Sequence, residues 1–142
     1  MEDILVDTSV WVEGLRQDNL AIIRSAIPDA ALWLSAVVLA ELYAGARGRQ
    51  RQAVDDLEHE SEALGRLLVP NLEDWRRTGQ VLAEVTVRFG YEAIGRNRLT
   101  NDALIACGAG RKGLTVLTAN RRDFGRLAEI VPFQWRLAGP PR

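Results

Sequence analysis

The chain has 142 residues, 47% of them apolar and 26% charged, with 18 basic and 19 acidic side chains for a formal net charge of −1. These proportions exclude a disordered or collagen-like chain, and the length suits one domain that buries its core without a disulfide or metal staple. The longest apolar stretch, Ala30 to Ala40, runs 11 residues with Ser35 inside it, well short of the roughly 20 that a membrane-spanning helix needs.

The opening Met1 to Asp7 turns acidic where a secretory signal would be basic, so the cytoplasm is the expected location. Ile4-Leu5-Val6, set before Asp7-Thr8-Ser9, predicts a strand buried on both faces. Ser9 is placed to cap a short helix through Leu15, and Asp18 a second through Ile27 that Pro28 ends. Leu32-Trp33-Leu34 predicts the next strand, after which Ser35 caps a helix from Ala36 to Ala44 with Gly45 as its stop. A polar helix is expected over Arg49 to Leu67, carrying Asp55-Asp56-Leu57-Glu58-His59-Glu60, followed by a short strand at Leu68-Val69. Asn71 to Phe89 repeats apolar residues near helical period at Leu72, Trp75, Val81, Leu82, Val85 and Phe89, and Gly90 closes it. Gly95 to Leu99 reads as loop, and Thr100 or Asn101 as the cap of an apolar helix from Asp102 to Ala109. Cys107 there reads as core filler, and as the lone cysteine it excludes an internal disulfide or a cysteine-built zinc site. Leu114 to Thr118 is the clearest strand, Asp123 to Ala128 the final helix and Ile130-Val131 an edge strand. One domain is expected over 1–137, with a flexible tail at 138–142.

Strands alternating with helices predict an α/β layer fold around a mainly parallel sheet, whose ligands bind outside the carboxyl ends of the strands. Three acids stand in apolar company near such ends. Asp7 follows Ile4-Leu5-Val6, Glu41 lies within Val37 to Ala44, and Asp102 opens Ala103-Leu104-Ile105-Ala106-Cys107. An unpaired buried carboxylate costs several kcal/mol. Helix N-termini would account for Asp7 and Asp102 one at a time, and an arginine such as Arg47 for Glu41. A single divalent cation would account for all three together, and hard oxygen ligands suit Mg²⁺ or Mn²⁺.

Charge is distributed unevenly. Residues 1–70 balance to −6 and residues 71–142 to +5, and between Arg96 and Arg126 seven bases face only Asp102 and Asp123. All basic residues but Lys112 are arginine, the side chain better suited to bidentate phosphate contacts. No phosphate-loop lysine motif occurs, which argues against a phosphate-loop nucleotide-binding module. Lys112 precedes the last clear strand, so a phosphoacceptor receiver domain fits poorly. Gly-x-Ser-x-Gly is absent and His59 lies in an acidic helix, leaving no candidate protein nucleophile.

Four stretches in order, Ile4-Leu5-Val6-Asp7-Thr8-Ser9-Val10, Leu39-Ala40-Glu41-Leu42-Tyr43-Ala44-Gly45, Thr100-Asn101-Asp102-Ala103-Leu104-Ile105-Ala106 and Leu117-Thr118-Ala119-Asn120-Arg121-Arg122-Asp123-Phe124, resemble the four blocks of a PIN domain. More narrowly, the chain resembles a VapC-type toxin of a bacterial toxin–antitoxin pair, over Ile4 to about Phe133. The resemblance implies a three-layer α/β/α fold with four to five short strands and a Mg²⁺- or Mn²⁺-dependent endoribonuclease that arrests translation. It matches Asp7, Glu41 and Asp102 to the family's acidic triad, with Asp7 and Asp102 as metal ligands and Glu41 as general base or holder of a water. The fourth family position falls on Asn120, one charge short of the all-acid version, with Asp123 close behind to supply that charge or to cap the final helix. Ser9 matches a small hydroxyl position, and Arg96, Arg98, Arg121 and Arg122 would ring the pocket with phosphate-binding charge. An RNA substrate, a small VapB-like antitoxin and a homodimer or toxin–antitoxin hetero-oligomer are the implied partners, with Trp11, Trp33, Leu39, Leu42 and Trp75 as candidate contact or core residues. The Asn120 departure leaves room for a catalytically impaired RNA- or partner-binding scaffold, and nothing in the sequence reads a 2′-hydroxyl to exclude DNA.

Overall fold

Five strands, β1 (Glu2–Val6), β2 (Ala30–Ser35), β3 (Leu67–Leu68), β4 (Thr115–Thr118) and β5 (Gln134–Leu137), pair in parallel in the order β3-β2-β1-β4-β5. The computed structural model describes residues 1–90 and 97–139, with side chains at all of these except 97 and 98. Seven helices join the strands among the described residues: α1 (Thr8–Arg16), α2 (Ala21–Ala26), α3 (Ala36–Gly45), α4 (Arg49–Ala63), α5 (Leu72–Phe89), α6 (Asn97–Lys112) and α7 (Arg121–Ala128). Ile4, Leu5 and Val6 are all fully buried although successive strand residues point to opposite faces, so helices cover the sheet on both sides. That is the expected three-layer architecture, and each such buried side chain contributes roughly 1.5–3 kcal/mol.

Several boundaries differ from the sequence reading, each for a local reason. Helix α1 begins at Thr8, so Asp7 rather than Ser9 holds the N-cap position, and its carboxylate makes no capping bond. Asp18 does not cap the second helix. It takes a left-handed φ of 55°, and Asn19 Oδ1 instead accepts from the Ala21 N–H. Helix α4 stops at Ala63, short of Leu67, because Gly65 (φ 68°) turns the chain into β3. Helix α6 begins at Asn97 rather than 102. No glycine or proline interrupts Asn97 to Asn101, and burying Leu99 favours extending the helix there. Asp102 is therefore a residue within a helix, not the first after a cap. Ile130-Val131 is not a strand. Val131 N–H bonds to Leu127 O, Pro132 has no N–H to give, and Gln134–Leu137 supplies the edge strand instead.

Helices α5 and α6 pack closely at one end through polar groups. Asn71 and Asp74 form a reciprocal capping box at the start of α5, and the buried Asp74 carboxylate also takes Arg111 Nε (3.0 Å) and Nη2 (2.9 Å) from the last turn of α6. Gly110 allows the C-terminal part of α6 to approach the segment between α7 and β5, since a Cβ there would stand 2.8 Å from Pro132 O. Burial pushes the Cys107 thiol pKa up, consistent with core filling rather than reactivity. No helix among the described residues is long and apolar enough to cross a membrane.

Candidate active site

Strand order reverses direction at β1, whose neighbours are β2 on one side and β4 on the other, the position at which open α/β sheets bind ligands beyond the carboxyl ends of their strands. The register then decides which residues meet there. Val6 lies opposite Leu117, and Asp7 N–H donates to Leu117 O at 2.9 Å, so the next residues of the two strands, Asp7 and Thr118, come side by side. Both are buried.

Asp7 Oδ2 accepts from Ser9 Oγ and from Thr118 Oγ1, each at 2.8 Å. Thr118 Oγ1 in turn accepts from Asn120 N–H at 3.0 Å, and Ser9 Oγ from Ala119 N–H at 3.0 Å. Two hydroxyls thus fix one oxygen of Asp7 and shape the β4–α7 turn at the same time. Thr118 was not singled out from sequence. The usable signals were its place at the carboxyl end of the strand beside β1 and a hydroxyl two residues before Asn120, a spacing that favours a local turn.

Asn120 links the other carboxylates. It holds the N-cap of α7, where its Oδ1 accepts from Asp123 N–H at 3.3 Å. Its Nδ2 donates to Asp102 Oδ2 (3.3 Å) and to Asp123 Oδ2 (3.0 Å). An aspartate at 120 would set a third negative charge against those two; the amide supplies donors to both. The cap is therefore Asn120 and not Asp123. Asp102 is 5% exposed and is carried into the network by the longer α6. Glu41, half-buried on α3, takes Thr8 Oγ1 at 2.9 Å, the residue directly after Asp7, and not Arg47.

Asp7, Ser9, Asp102, Asn120 and Asp123, together with Thr118, thus lie in one hydrogen-bonded chain, and Glu41 joins it through Thr8. Among the described residues no lysine or arginine forms an ion pair with Asp7 or Glu41. Arg122 reaches Asp123 at 3.4 Å and is mostly exposed, while Arg121 is exposed at the start of α7. Arg96 and the side chain of Arg98 lie outside the described residues. His59 is exposed, Trp11 and Leu42 are core, Trp33 and Leu39 are half-buried, and Trp75 is exposed.

No group of three or more His, Cys, Asp and Glu side chains stands close enough to hold a metal ion among the described residues. The donor chemistry nevertheless fits a hard cation. Mg²⁺ characteristically uses one or two carboxylates and keeps several waters, and Asp7 and Asp102 are two buried carboxylates bridged by hydroxyl and amide donors.

A PIN domain family model matches residues 4–130, a span that contains every residue of this network. The chain belongs to the PIN domain family. PIN domains are generally nucleases that use divalent metal ions. Among solved structures, VapBC2 from Rickettsia felis, bound to a DNA fragment from its promoter, is similar at a TM-score of 0.65 and 21% identity, covering 96% of this chain and 99% of that one. DNA-bound VapBC from Salmonella typhimurium is similar at 0.63 and 22%, covering 96% and 98%. VapBC-5 from Mycobacterium tuberculosis, a member of the VapBC family of toxin–antitoxin systems, is similar at 0.57 and 23%, again covering 96% and 98%. At these identities the likeness establishes that this PIN domain shares their fold over nearly its whole length. No curated protein sequence matches the chain.

Proposed function

We propose that this PIN domain is a Mg²⁺- or Mn²⁺-dependent endoribonuclease and the toxin of a VapBC-like toxin–antitoxin module. The observation that carries the reading is the unbroken hydrogen-bonded chain from Asp7 to Asp102 across the carboxyl ends of β1 and β4. Asp7 and Asp102 are the residues that would hold the cation. When bound, such an ion supplies an activated water and relief of phosphoryl charge.

The protein's own groups have separable tasks. Ser9 and Thr118 fix one oxygen of Asp7 and so aim the other. The Ser9 hydroxyl proton is already committed to Asp7, which leaves it only an acceptor lone pair toward substrate. Glu41 forms no ion pair among the described residues, and its carboxylate is the proposed proton acceptor. Asn120 keeps Asp102 and Asp123 from repelling one another, and Arg121, with Arg98, meets the RNA phosphates. The partner reading follows from the VapBC likeness: a small antitoxin, with a homodimer or hetero-oligomer as the assembly. Val69, Leu72 and Trp75, all more than half exposed around the start of α5, offer it apolar surface.

A second reading, a catalytically impaired RNA- or partner-binding scaffold, draws on Asn120, whose amide occupies an oxygen of Asp102. Purified protein incubated with structured RNA separates the two. Cleavage that needs Mg²⁺ or Mn²⁺ and stops on chelation supports the nuclease, and RNA left intact under every metal condition supports the scaffold.

Thr118→Val removes the hydroxyl while nearly keeping the volume. It is expected to lower cleavage roughly ten- to hundred-fold, as loss of a group that orients a ligand does, and to cost about 1 kcal/mol in stability. Rates and denaturation of the variant check both, and unchanged cleavage would remove Thr118 from the site.

A further inference from the structure

Arg126 lies in the last turn of α7, and its guanidinium carbon stands 4.9 Å from the ring centroid of Phe89, the last residue of α5. Both side chains are half-buried. The two helix ends are also tied directly, since Arg88 Nη1 donates to Glu129 O at 3.4 Å. Arg24, Arg76, Arg88 and Arg111 each hold a carboxylate, whereas Arg126 forms no ion pair among the described residues. A guanidinium held on an aromatic ring without a carboxylate keeps its charge uncompensated and its plane ordered.

The location gives this pair a use. Residues three apart share a helix face and are about 4.5 Å apart along the axis. Arg126 therefore follows Asp123, whose carboxylate belongs to the network with Asn120 and Asp102. Single-stranded RNA is commonly held by stacking its splayed bases on aromatic rings and arginine planes. We propose that Arg126, ordered by Phe89, is a stacking platform for an unpaired RNA base adjoining the phosphate that is cut. This rests on the ribonuclease reading of the site and adds to it a preference for an unpaired nucleotide at one fixed position. Arg121 at the other end of α7 is a phosphate contact. The arginine packed against a ring is the one suited to a base.

The test measures binding apart from cleavage, with single-stranded oligoribonucleotides, an Asp7→Asn background and chelator present. An abasic nucleotide is moved through the oligonucleotide one position at a time. Binding is expected to fall about tenfold when it reaches one particular position, and that drop is expected to vanish in Arg126→Ala. Arg126→Lys retains the charge, so it is expected to keep the salt dependence of the parent but lose the abasic effect; Phe89→Leu is expected to weaken that effect. An abasic penalty of the same size in the parent and in Arg126→Ala, or none at any position, overturns the platform while leaving the nuclease reading intact. Oligonucleotide binding with the abasic signature, but no cleavage by the Asp7-containing chain in Mn²⁺, overturns the nuclease reading and retains the platform. No binding of single-stranded RNA overturns the platform, and cleavage by the Asp7-containing chain in Mn²⁺ decides the nuclease reading separately.

Discussion

Asp7→Asn is expected to lower metal-dependent RNA cleavage by a thousand-fold or more, equivalent to about 4 kcal/mol of transition-state stabilisation. The substitution removes one negative charge and almost no volume. Asp7 has its backbone in the β1–β4 ladder and one carboxylate oxygen held by Ser9 and Thr118, so an amide occupies the same space. The expected loss is therefore one of chemistry, with the thermal midpoint shifting by no more than a few degrees. Asp102→Asn is expected to behave similarly, since its carboxylate meets the same network through Asn120. Rates under single-turnover conditions beside thermal melts check this. A variant that cleaves within tenfold of the parent, or one that simply unfolds, would contradict it.

The largest expected effect on stability lies away from the site. Asp74 is 2% exposed and accepts both Arg111 nitrogens and the Asn71 N–H. Breaking a buried pair leaves its partner's charge without compensation, at about 3–5 kcal/mol. Arg111 retains 31% side-chain exposure, so water recovers part of its share and the lower figure applies to Asp74→Ala. About 3 kcal/mol corresponds to a fall in the thermal midpoint on the order of 10 °C for a domain of this size. Replacing both partners, Asp74→Asn with Arg111→Leu, is expected to cost less than Asp74→Ala alone, because no charge is then left unpaired. A loss under 1 kcal/mol for Asp74→Ala would show that the α5–α6 junction is held by packing alone.

The order of strands and helices was legible because each strand is an apolar run set off by turn residues, and the central strand shows no alternation, as burial on both faces requires. Boundaries were less legible where a local signal competed with tertiary packing. Ser9, Thr100 and Asn101 carry side chains typical of caps, yet Ser9 is drawn to Asp7 and α6 extends back to bury Leu99. Asp102 therefore enters the site from within a helix. Much of the acidic run Asp55 to Glu60 on the polar helix is in use. The Tyr43 hydroxyl lies 2.6 Å from an Asp55 oxygen and 2.8 Å from a Glu58 oxygen and shares its one proton between them, the two carboxylates raise its pKa, and Glu60 pairs with Arg24. Of the site, the carboxylates were legible because charge in apolar company is costly. Thr118 was not, since a β-branched residue at a strand end is ordinary until the register sets it against Asp7. Nor did spacing foretell that Asn120 would both cap α7 and bridge two carboxylates, because that depends on where α6 runs.

Direct measurement of Mn²⁺ binding, by calorimetry or by the paramagnetic resonance of the free ion, bears most closely on the claim that Asp7 and Asp102 hold one cation between them. The intact chain is expected to take up the ion at a specific site, with affinity at least tenfold weaker in Asp7→Asn and again in Asp102→Asn, and unchanged in Asp56→Asn on the exposed side of α4. Equal affinity in all four proteins would mean that these two carboxylates do not share a metal.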